Sequence, residues 1–556
     1  MIVRGDAGTR PAAAYAARDP AREVRQTLPG AGPRRAWLRD GVALLAAATL
    51  LAGCTTLRSG YPKQPSTALT VRYDAAPARY VSAELDRHPG KSGFRLLASS
   101  TDALMSRIWL IDHAHHSIDL QYFIFQNDAT GRLVAQRLLA AADRGVRVRL
   151  LLDDIALQHE DVMLGALNAH PQIQVRVFNP FHTHNPSMPS KIVQLALEGR
   201  RLNRRMHNKS MIVDGMAAVI GGRNIGDPYF DAGRDSNFRD LDVVAIGPVV
   251  EEASRAFDEY WNSDAAYPLD AFRSTRNSSA DLSQLRPQLT GEVRAFAQSD
   301  YVRAVFEELP NGATGARPGP WLWGDGTLLA DQPQKIEADR DEPALRIGPQ
   351  LSRIIAGAQG EVLLISPYLI PSRHGVRFLT EVARRGVAVR ILTNSLASTD
   401  ELAAQAGYAR HRRALLAGGL QLYELRPASG EMQHSGAAGR SSGVSLHAKA
   451  IVVDRRFVFI GSMNIDPRSK LLNTEMGVLV ECPELAQEVA GFFAQATDPG
   501  SAFHVELRPG AGGAARLVWS WTENGVAASA DRDPGVSEGR RWELGALRLL
   551  PIEGLL

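Results

Sequence analysis

The sequence predicts an α/β protein made of two duplicated α/β/α sandwich domains facing each other in a pseudo-twofold arrangement. Three observations predict it. Residues 206–224 (MHNKSMIVDGMAAVIGGRN) and 446–464 (LHAKAIVVDRRFVFIGSMN) share one frame: His-x-Lys, then Asp seven residues after the His, Gly at fourteen and Asn at seventeen. The second histidine follows the first by 240 residues, and Arg144-Gly145-Val146 recurs at Arg385-Gly386-Val387, 241 residues on. Two matches at nearly one offset argue for a duplicated domain. Finally, helix-like and strand-like apolar patterns alternate along both halves, as in an α/β sheet.

At 556 residues, 45% apolar and 22% charged, the chain has room for two or three globular domains. A net charge of +3 demands no polyanion, so no nucleic-acid partner is expected. Arg200, Arg201, Arg204 and Arg205, just before the first motif, read either as a solvated helix end or as a rim that attracts phosphate.

The N-terminus reads as a targeting segment. Residues 1–40 carry eight arginines against four acids, and an apolar run from Gly41 ends at Leu51-Ala52-Gly53-Cys54. That run falls short of the about 20 residues needed to span a bilayer core, but it suits a signal peptide. The last four residues resemble a bacterial lipoprotein cleavage box, which implies acylation of Cys54. Residues 1–53 are thus expected to be leader and lipoprotein-type signal peptide, with the true start downstream of residue 1. Residues 54–92, rich in Ser, Pro, Ala and Tyr, read as a tether. The other cysteine is Cys482, so acylation of Cys54 excludes an intramolecular disulfide.

The first domain is placed at 93–270. Leu104, Ile108 and Ile111 mark a helix from Ser100 to Ala114, and Ser117–Phe125 alternates as a strand. A helix over Gly131–Arg144 and a buried strand over Val146–Leu152 follow, ending at Asp153 and Asp154. The second domain, 341–500, repeats the order: helix Leu351–Ala358, strand Val362–Ser366, helix Gly375–Arg385, strand Val387–Thr393. Residues 271–340, with Pro, Gly and Asn clusters, read as an irregular insertion or linker. Residues 501–556 form a C-terminal extension, with Trp519 and Trp521 alternating across a strand; it either packs on the body or contacts lipid. His113, His115 and His116 read as a helix end facing water. His182 and His184 receive no role, and Gly436–Gly443 reads as a flexible loop entering the second motif. No metal or other cofactor is expected.

The motif itself reads as a strand over Met206–Val213, a turn at Asp214-Gly215 and a return over Ala217–Ile220. His207 and Lys209 then share a face, whereas Asp214 points the other way. Asp214 and its counterpart Asp454 are accordingly turn formers. Aligned by their ends, residues 239–243 (RDLDV) match 474–478 (TEMGV). Asp240 and Glu475 are therefore expected as the carboxylates hydrogen-bonded to His207 and His447, fixing tautomer and stabilising imidazolium. Asn224 and Asn464 add amides, and the small residues Gly222 and Ser462 are expected to admit a substrate close to the backbone.

Each half then holds half a site, and two facing halves complete it. Displacement at phosphorus needs a nucleophile on one side and a proton donor on the other. Histidine, with an unperturbed pKa near ~6.5, suits both jobs. Lys209 and Lys449 can neutralise the phosphoryl oxygens in place of a metal ion.

These motifs resemble the phospholipase D superfamily. The flanking text is similar to bacterial cardiolipin synthases, of the cardiolipin synthase C type: residues 120–122 (LQY), 142–146 (ADRGV), 151–154 (LLDD), 203–207 (NRRMH), 221–227 (GGRNIGD) and 464–469 (NIDPRS). The resemblance implies two phospholipase D-like domains, phospholipid substrates, a bacterial membrane as the setting, and catalytic His207, Lys209, His447 and Lys449. It also implies a double displacement through phosphohistidine, with His207 as nucleophile by the superfamily's usual N-terminal choice. Pro228-Tyr229-Phe230 departs from the expected Glu-Tyr-Phe and puts substrate preference in question. A hydrolase releasing phosphatidic acid, a nucleic-acid phosphodiesterase and a non-catalytic lipoprotein are the rival readings. The expected location is the cell envelope, anchored by lipid and facing periplasm or exterior, with no protein partner assigned.

Overall fold

A computed structural model describes residues 61–154, 161–181, 199, 201–234, 236–271, 278–299, 301–303, 319–338, 342–427, 443–510 and 513–549. The leader, Cys54, His182, His184, Arg200 and residues 436–442 lie outside the described residues.

Two runs of elements follow each other. The first is α1 (Ala76–Arg87), β1 (Ser92–Leu97), α2 (Ser100–Asp112), β2 (Ser117–Tyr122), α3 (Ala129–Asp143), β3 (Arg147–Asp153), α4 (Asp161–Asn168) and β4 (Ile173–Phe178). It continues with β5 (Ser210–Val213), β6 (Ala217–Gly221), β7 (Ser236–Arg239), β8 (Asp242–Ile246), α5 (Pro248–Asn262), β9 (Ala266–Pro268) and α6 (Ser278–Ala297). The second is β10 (Leu322–Ala330), α7 (Gly348–Ala356), β11 (Glu361–Ile365), α8 (Ser372–Arg384), β12 (Ala388–Asn394), α9 (Leu402–Ala417), β13 (Gln421–Leu425) and β14 (Gly443–Leu446). It ends with β15 (Ala450–Val453), β16 (Phe457–Gly461), α10 (Pro467–Leu471), β17 (Met476–Glu481), α11 (Pro483–Ala496), β18 (Ala502–Pro509), β19 (Ala515–Glu523), β20 (Val526–Ala530) and α12 (Glu538–Leu547).

The repeat is plain in the sheet. Strands of the first half lie in the order β9-β4-β3-β2-β5-β6-β8-β1, and those of the second in the order β18-β13-β12-β11-β15-β16-β17-β10. In each, three parallel strands are continued by antiparallel neighbours. β1 meets β10 antiparallel, Gly93 opposite Trp323, which joins the halves into one eighteen-stranded sheet. Every residue of β2 is buried, as expected of a parallel strand covered on both faces.

Covering helices follow from apolar periodicity. α2, α3, α4 and α6 share one core with Ile118, Leu120, Leu150 and Val175. α5 and α11 bring Phe257, Trp261, Leu485 and Phe493 into a second core that draws on both halves, including Phe94 and Leu363. A third core lies under α8 and α9, with Leu379, Tyr408 and Leu415.

Three expectations need correction. The stretch read as a tether packs on the body over its described residues: Ser66 and Ala68 donate N–H groups to Asn262 and Asp258 at 3.1 and 2.8 Å, and α1 buries Ala78 and Val81 against Met216, Ala217 and Ile246. Residues 271–340 are not simply irregular: α6 buries Leu285 and Leu289 against the first half, and β10 takes in the second sheet the place β1 takes in the first. The periodic leucines of α6 are interrupted by Pro287, which hid the helix. Residues 501–556 likewise begin inside the repeat, because β18 pairs with β13 as β9 pairs with β4. Trp519 is buried there, its indole N–H donating to Glu424 at 2.9 Å, so this part of the extension packs on the body.

Candidate active site

Each hairpin turn is stapled to the sheet by its aspartate. Asp214, at a φ of 53°, accepts the backbone N–H groups of His115, His116 and Ser117 at 2.7 to 2.9 Å. Asp454, also at 53°, accepts those of Gln359, Gly360 and Glu361 at 2.8 to 2.9 Å. Left-handed backbone at a non-glycine residue is repaid by three charge-assisted bonds. Both aspartates hold a turn and neither touches a motif histidine.

The histidines precede the hairpins and are placed by contacts between halves. β7 runs parallel to β14, with Arg239 opposite Leu446, and Met206 bridges to Thr474 in the same sense. His447 N–H donates to Arg239 O at 2.8 Å, and His207 N–H donates to Thr474 O at 2.9 Å. Each histidine is thereby laid beside the residue that follows its partner. Chain order pairs Asp240 with His207 and Glu475 with His447; the structure crosses them. His207 Nδ1 lies 2.9 Å from Glu475 Oε2, and His447 Nδ1 lies 2.5 Å from Asp240 Oδ2. A one-chain alignment cannot show this, because it compares halves without docking them.

The segment carrying His207 and Lys209 ends just before β5 rather than lying within it. Lys209 Nζ donates back to His207 O at 2.6 Å and sits 5.3 Å from the Phe123 ring; Lys449 Nζ donates to His447 O. Phe123 packs edge-on to His207, and Tyr229 packs edge-on to His447, with ring centroids 5.1 and 5.2 Å apart.

Burial governs the charges. It drives His207 down to about 4 against the pull of Glu475, with Lys209 and Lys449 adding to the fall. It drives His447 down to about 3, reinforced by Lys449 and opposed by Asp240. The carboxylates go the other way. Burial opposes their ionisation, but His207, Lys209 and the Ser462 hydroxyl hold Glu475 at about 2, and His447 and Lys449 hold Asp240 well below its usual range. Burial lowers Lys449 to about 8 and, with Lys449 beside it, lowers Lys209 well below an ordinary lysine. Neutral imidazoles facing ionised carboxylates must carry hydrogen on Nδ1, since a carboxylate only accepts. Both Nε2 atoms are left with a lone pair.

The small residues serve the carboxylates. A Cβ on Gly222 would stand 2.1 Å from Asp240 Oδ1, so glycine lets that carboxylate close on the backbone. The matching Ser462 donates its hydroxyl to Glu475 and accepts Met476 N–H at 3.0 Å. Both were expected to admit substrate; their contacts explain their size without one. The asparagines differ too. Asn224 accepts from Ile124 N–H at 3.1 Å and donates to Tyr229 Oη at 2.8 Å, so its amide is committed within the protein. Asn464, 4% exposed, has a buried Oδ1 with no hydrogen-bond partner among the described residues.

The basic rim is also corrected. Arg205 is buried against Asp153 at 3.2 Å, Arg204 donates to the Ile336 and Ala338 carbonyls at 2.8 Å, and Arg201 to Asn179 at 2.5 Å. These three clamp loops of the protein instead of edging solvent. Pro228 sits in the first turn of a short 3-10 helix, Asp227–Phe230, where its missing N–H costs little and Tyr229 is turned onto His447. His116 pairs with Asp74 at 2.9 Å, and His113 closes the end of α2.

Sequence reasoning missed Asp331, just past β10. It accepts Glu475 N–H at 2.8 Å and Ile347 N–H at 2.7 Å, while Lys335 donates to it at 2.6 Å. Burial raises Asp331 to about 6 against the pull of Lys335. Its signal, an aspartate ending an apolar strand, lay inside the stretch read as irregular.

Comparison with known proteins agrees with this architecture. The family model described as "Cardiolipin synthase, PLD-like domain" matches residues 108–261 and 351–497, one segment in each half. The chain is 40% identical over 480 residues to cardiolipin synthase C of Escherichia coli (strain K12), covering 84% of this chain and 97% of that one. It is 24% identical over 383 residues to cardiolipin synthase 1 of Staphylococcus aureus (strain MRSA252), covering 68% and 62%. Among solved structures, a phosphatidylserine synthase from Haemophilus influenzae Rd KW20 shares the fold, with a TM-score of 0.50 at 13% identity over 77% of this chain and 91% of that one. With both segments matched and four-fifths of its length aligned to such a relative, the chain belongs to the cardiolipin synthase family of phospholipase D-like proteins.

Proposed function

We propose that the protein is a phosphatidyltransferase that makes cardiolipin by transferring a phosphatidyl group from phosphatidylglycerol to a second phospholipid through a phosphohistidine intermediate. The observation that carries this reading is the crossed pair of histidine–carboxylate contacts, which puts two equivalent imidazoles and two lysines in one buried site.

His207 is the nucleophile. Its Nε2 attacks the phosphorus of the first phosphatidylglycerol, the bond from phosphorus to the glycerol oxygen breaks, and His447 gives that oxygen a proton. A neutral site takes up this proton when the phosphodiester anion arrives, because the anion favours the charged form of neighbouring cations. Lys209 and Lys449 spread the charge of the phosphoryl oxygens. In the second step a hydroxyl of the acceptor headgroup loses its proton to His447 and attacks phosphorus, and the bond to His207 breaks. One phosphodiester replaces another, so no nucleotide is consumed. Asp240 and Glu475 hold the imidazoles and stabilise their cationic forms. Asn464 Oδ1 is the amide oxygen left to accept a hydrogen bond from a substrate hydroxyl.

Residues 41–54 support an acyl anchor at Cys54 and a place in the cell envelope. Among the described residues no helix is long and apolar enough to cross a membrane.

The test is product analysis with labelled phosphatidylglycerol in mixed micelles, beside His207→Ala and His447→Ala. Labelled cardiolipin with equimolar free glycerol, absent from both variants, is expected. Phosphatidic acid as the sole product would make the protein a hydrolase instead.

A further inference from the structure

The C-terminal extension does more than widen the second sheet. Between β19, α9 and α12 lies a cleft of about 560 Å³, and seven of its fourteen lining residues are arginine against two aspartates. Arg412 and Asp533 cancel internally: Arg412 is buried, 3.0 Å from Asp533 and 3.0 Å from Glu424. Of the six remaining arginines, Arg541 and Arg532 share Glu538 at 2.7 and 3.7 Å, and Asp531 is the one other acid lining the cleft, so arginine still exceeds carboxylate there. Arg413 donates to Ala515 O at 2.8 Å and Arg541 to Asp533 O at 2.8 Å, bonds that tie α9 and α12 to the walls. Arg516, Arg532 and Arg548 are exposed at its edge. A planar, weakly hydrated guanidinium matches the oxygens of a phosphate, and several around one cleft favour an anion strongly.

Beside this cleft stand Trp542, 79% exposed, and Leu549, 87% exposed, the two most exposed large apolar side chains among the described residues. Arg541, Leu544 and Gly545 of α12 and Arg548 just past its end line the cleft, with Trp542 exposed on α12 and Leu549 exposed in the turn that follows it. The helix is fastened at a telling place. Arg540 donates to Leu396 O at 3.1 Å and to Thr399 O at 3.0 Å. That loop leads to Asp400, which accepts the Tyr368 hydroxyl at 2.9 Å and helps to hold the charge of Lys449.

We propose that α12 and the arginine cleft dock the protein onto anionic phospholipid, with a headgroup phosphate in the cleft and Trp542 and Leu549 set into the interface. An arginine-lined cleft next to an exposed tryptophan and leucine matches the layering of a bilayer surface, charge outside and hydrocarbon within. The phosphatidyltransfer reading supplies the reason a bilayer should be present; the occupant's chemistry comes from the cleft and the helix. Docking here would bring a lipid surface against the loop that borders the active site.

Flotation of the full chain carrying Cys54→Ser, which removes any acyl anchor, tests the proposal. Vesicles of phosphatidylcholine with and without phosphatidylglycerol are compared. Binding should require phosphatidylglycerol and should fall by at least about tenfold in Arg516→Glu with Arg548→Glu, and fall also in Trp542→Ala with Leu549→Ser. Thermal unfolding and turnover of a water-soluble short-chain phosphodiester should be unchanged in both. Phosphatidylglycerol with brominated acyl chains should quench fluorescence in the wild type more than in Trp542→Phe, a change that leaves folding untouched. Full binding by the charge-reversed variant, or equal quenching with and without Trp542, would overturn the proposal. So would a cleft that responds to inorganic phosphate by thermal shift while vesicle binding ignores it. Vesicle docking without cardiolipin formation would sink the transferase reading and leave this one standing.

Discussion

Glu475, in the second half of the chain, lies 2.9 Å from His207 in the first, and Asp240 and His447 return the contact in the other direction. The two halves therefore exchange the groups that fix their imidazoles. The contacts between Met206 and Thr474 and between Leu446 and Arg239 set this exchange through backbone bonds, so it does not depend on flexible side chains.

A double-mutant cycle reads the crossing directly. His207→Asn and Glu475→Gln should show a coupling of about 1–3 kcal/mol in thermal stability, whereas His207→Asn and Asp240→Asn should add to within about 0.5 kcal/mol. Either carboxylate-to-amide change should lower kcat by on the order of a thousandfold.

Gly222→Ala should cost activity without unfolding the protein. The new Cβ would displace Asp240 from a position 2.1 Å away, misplacing His447. A loss of roughly a hundredfold in kcat is expected from such a shift. Steady-state kinetics beside a thermal melt separates this from a folding defect.

Asp331 and Lys335 should behave as a unit. Asp331→Ala strands a buried ammonium and should cost about 3–5 kcal/mol. Asp331→Asn with Lys335→Met should recover much of that stability while kcat stays low, because the amide holds Glu475 N–H less firmly than the carboxylate does. Denaturant melts and kcat measured on the same preparations check both halves of the prediction.

Two pH effects follow, with opposite limbs. A lysine lowered to about 8 loses its charge as pH rises through that value, so kcat/KM should fall above about pH 8 and the fall should move upward in Lys449→Arg. For stability, His207 and His447 are lowered from about 6.5 to about 4 and about 3, so the unfolded chain binds more protons between those limits. Their contribution is complete above pH 6.5 and is lost as pH falls toward 3. Glu475, held at about 2, extends the loss below that. Thermal melts from pH 7 to pH 3 should show a falling Tm, with a shallower slope in His207→Asn.

Much of this was legible in one sequence, and the reasons are specific. The repeated frame revealed the duplication because each position in it has a job the second half repeats: the histidine, the lysine, and the aspartate that staples the turn. The alternation of helix and strand followed from periodic burial. Asp240 and Glu475 were visible as a matched pair, but their crossing was not, since it depends on how β7 meets β14. Gly222 and Ser462 were noticed for their size, but their contacts with Asp240 and Glu475 were not visible, because those carboxylates come from eighteen and thirteen residues further along and fold back. Arg204 and Arg205 looked exposed because charge in sequence carries no record of the buried carbonyls and the Asp153 carboxylate waiting for it.

The most direct measurement is capture of the covalent intermediate. The full chain is mixed with phosphatidylglycerol labelled in its phosphate, quenched within a turnover, digested at alkaline pH to preserve phosphohistidine, and sequenced. Label is expected on the peptide that contains His207, formed as glycerol is released and discharged when acceptor lipid is added. Label on His447 instead would reverse the roles, and cardiolipin formed with no labelled histidine at any time would contradict double displacement.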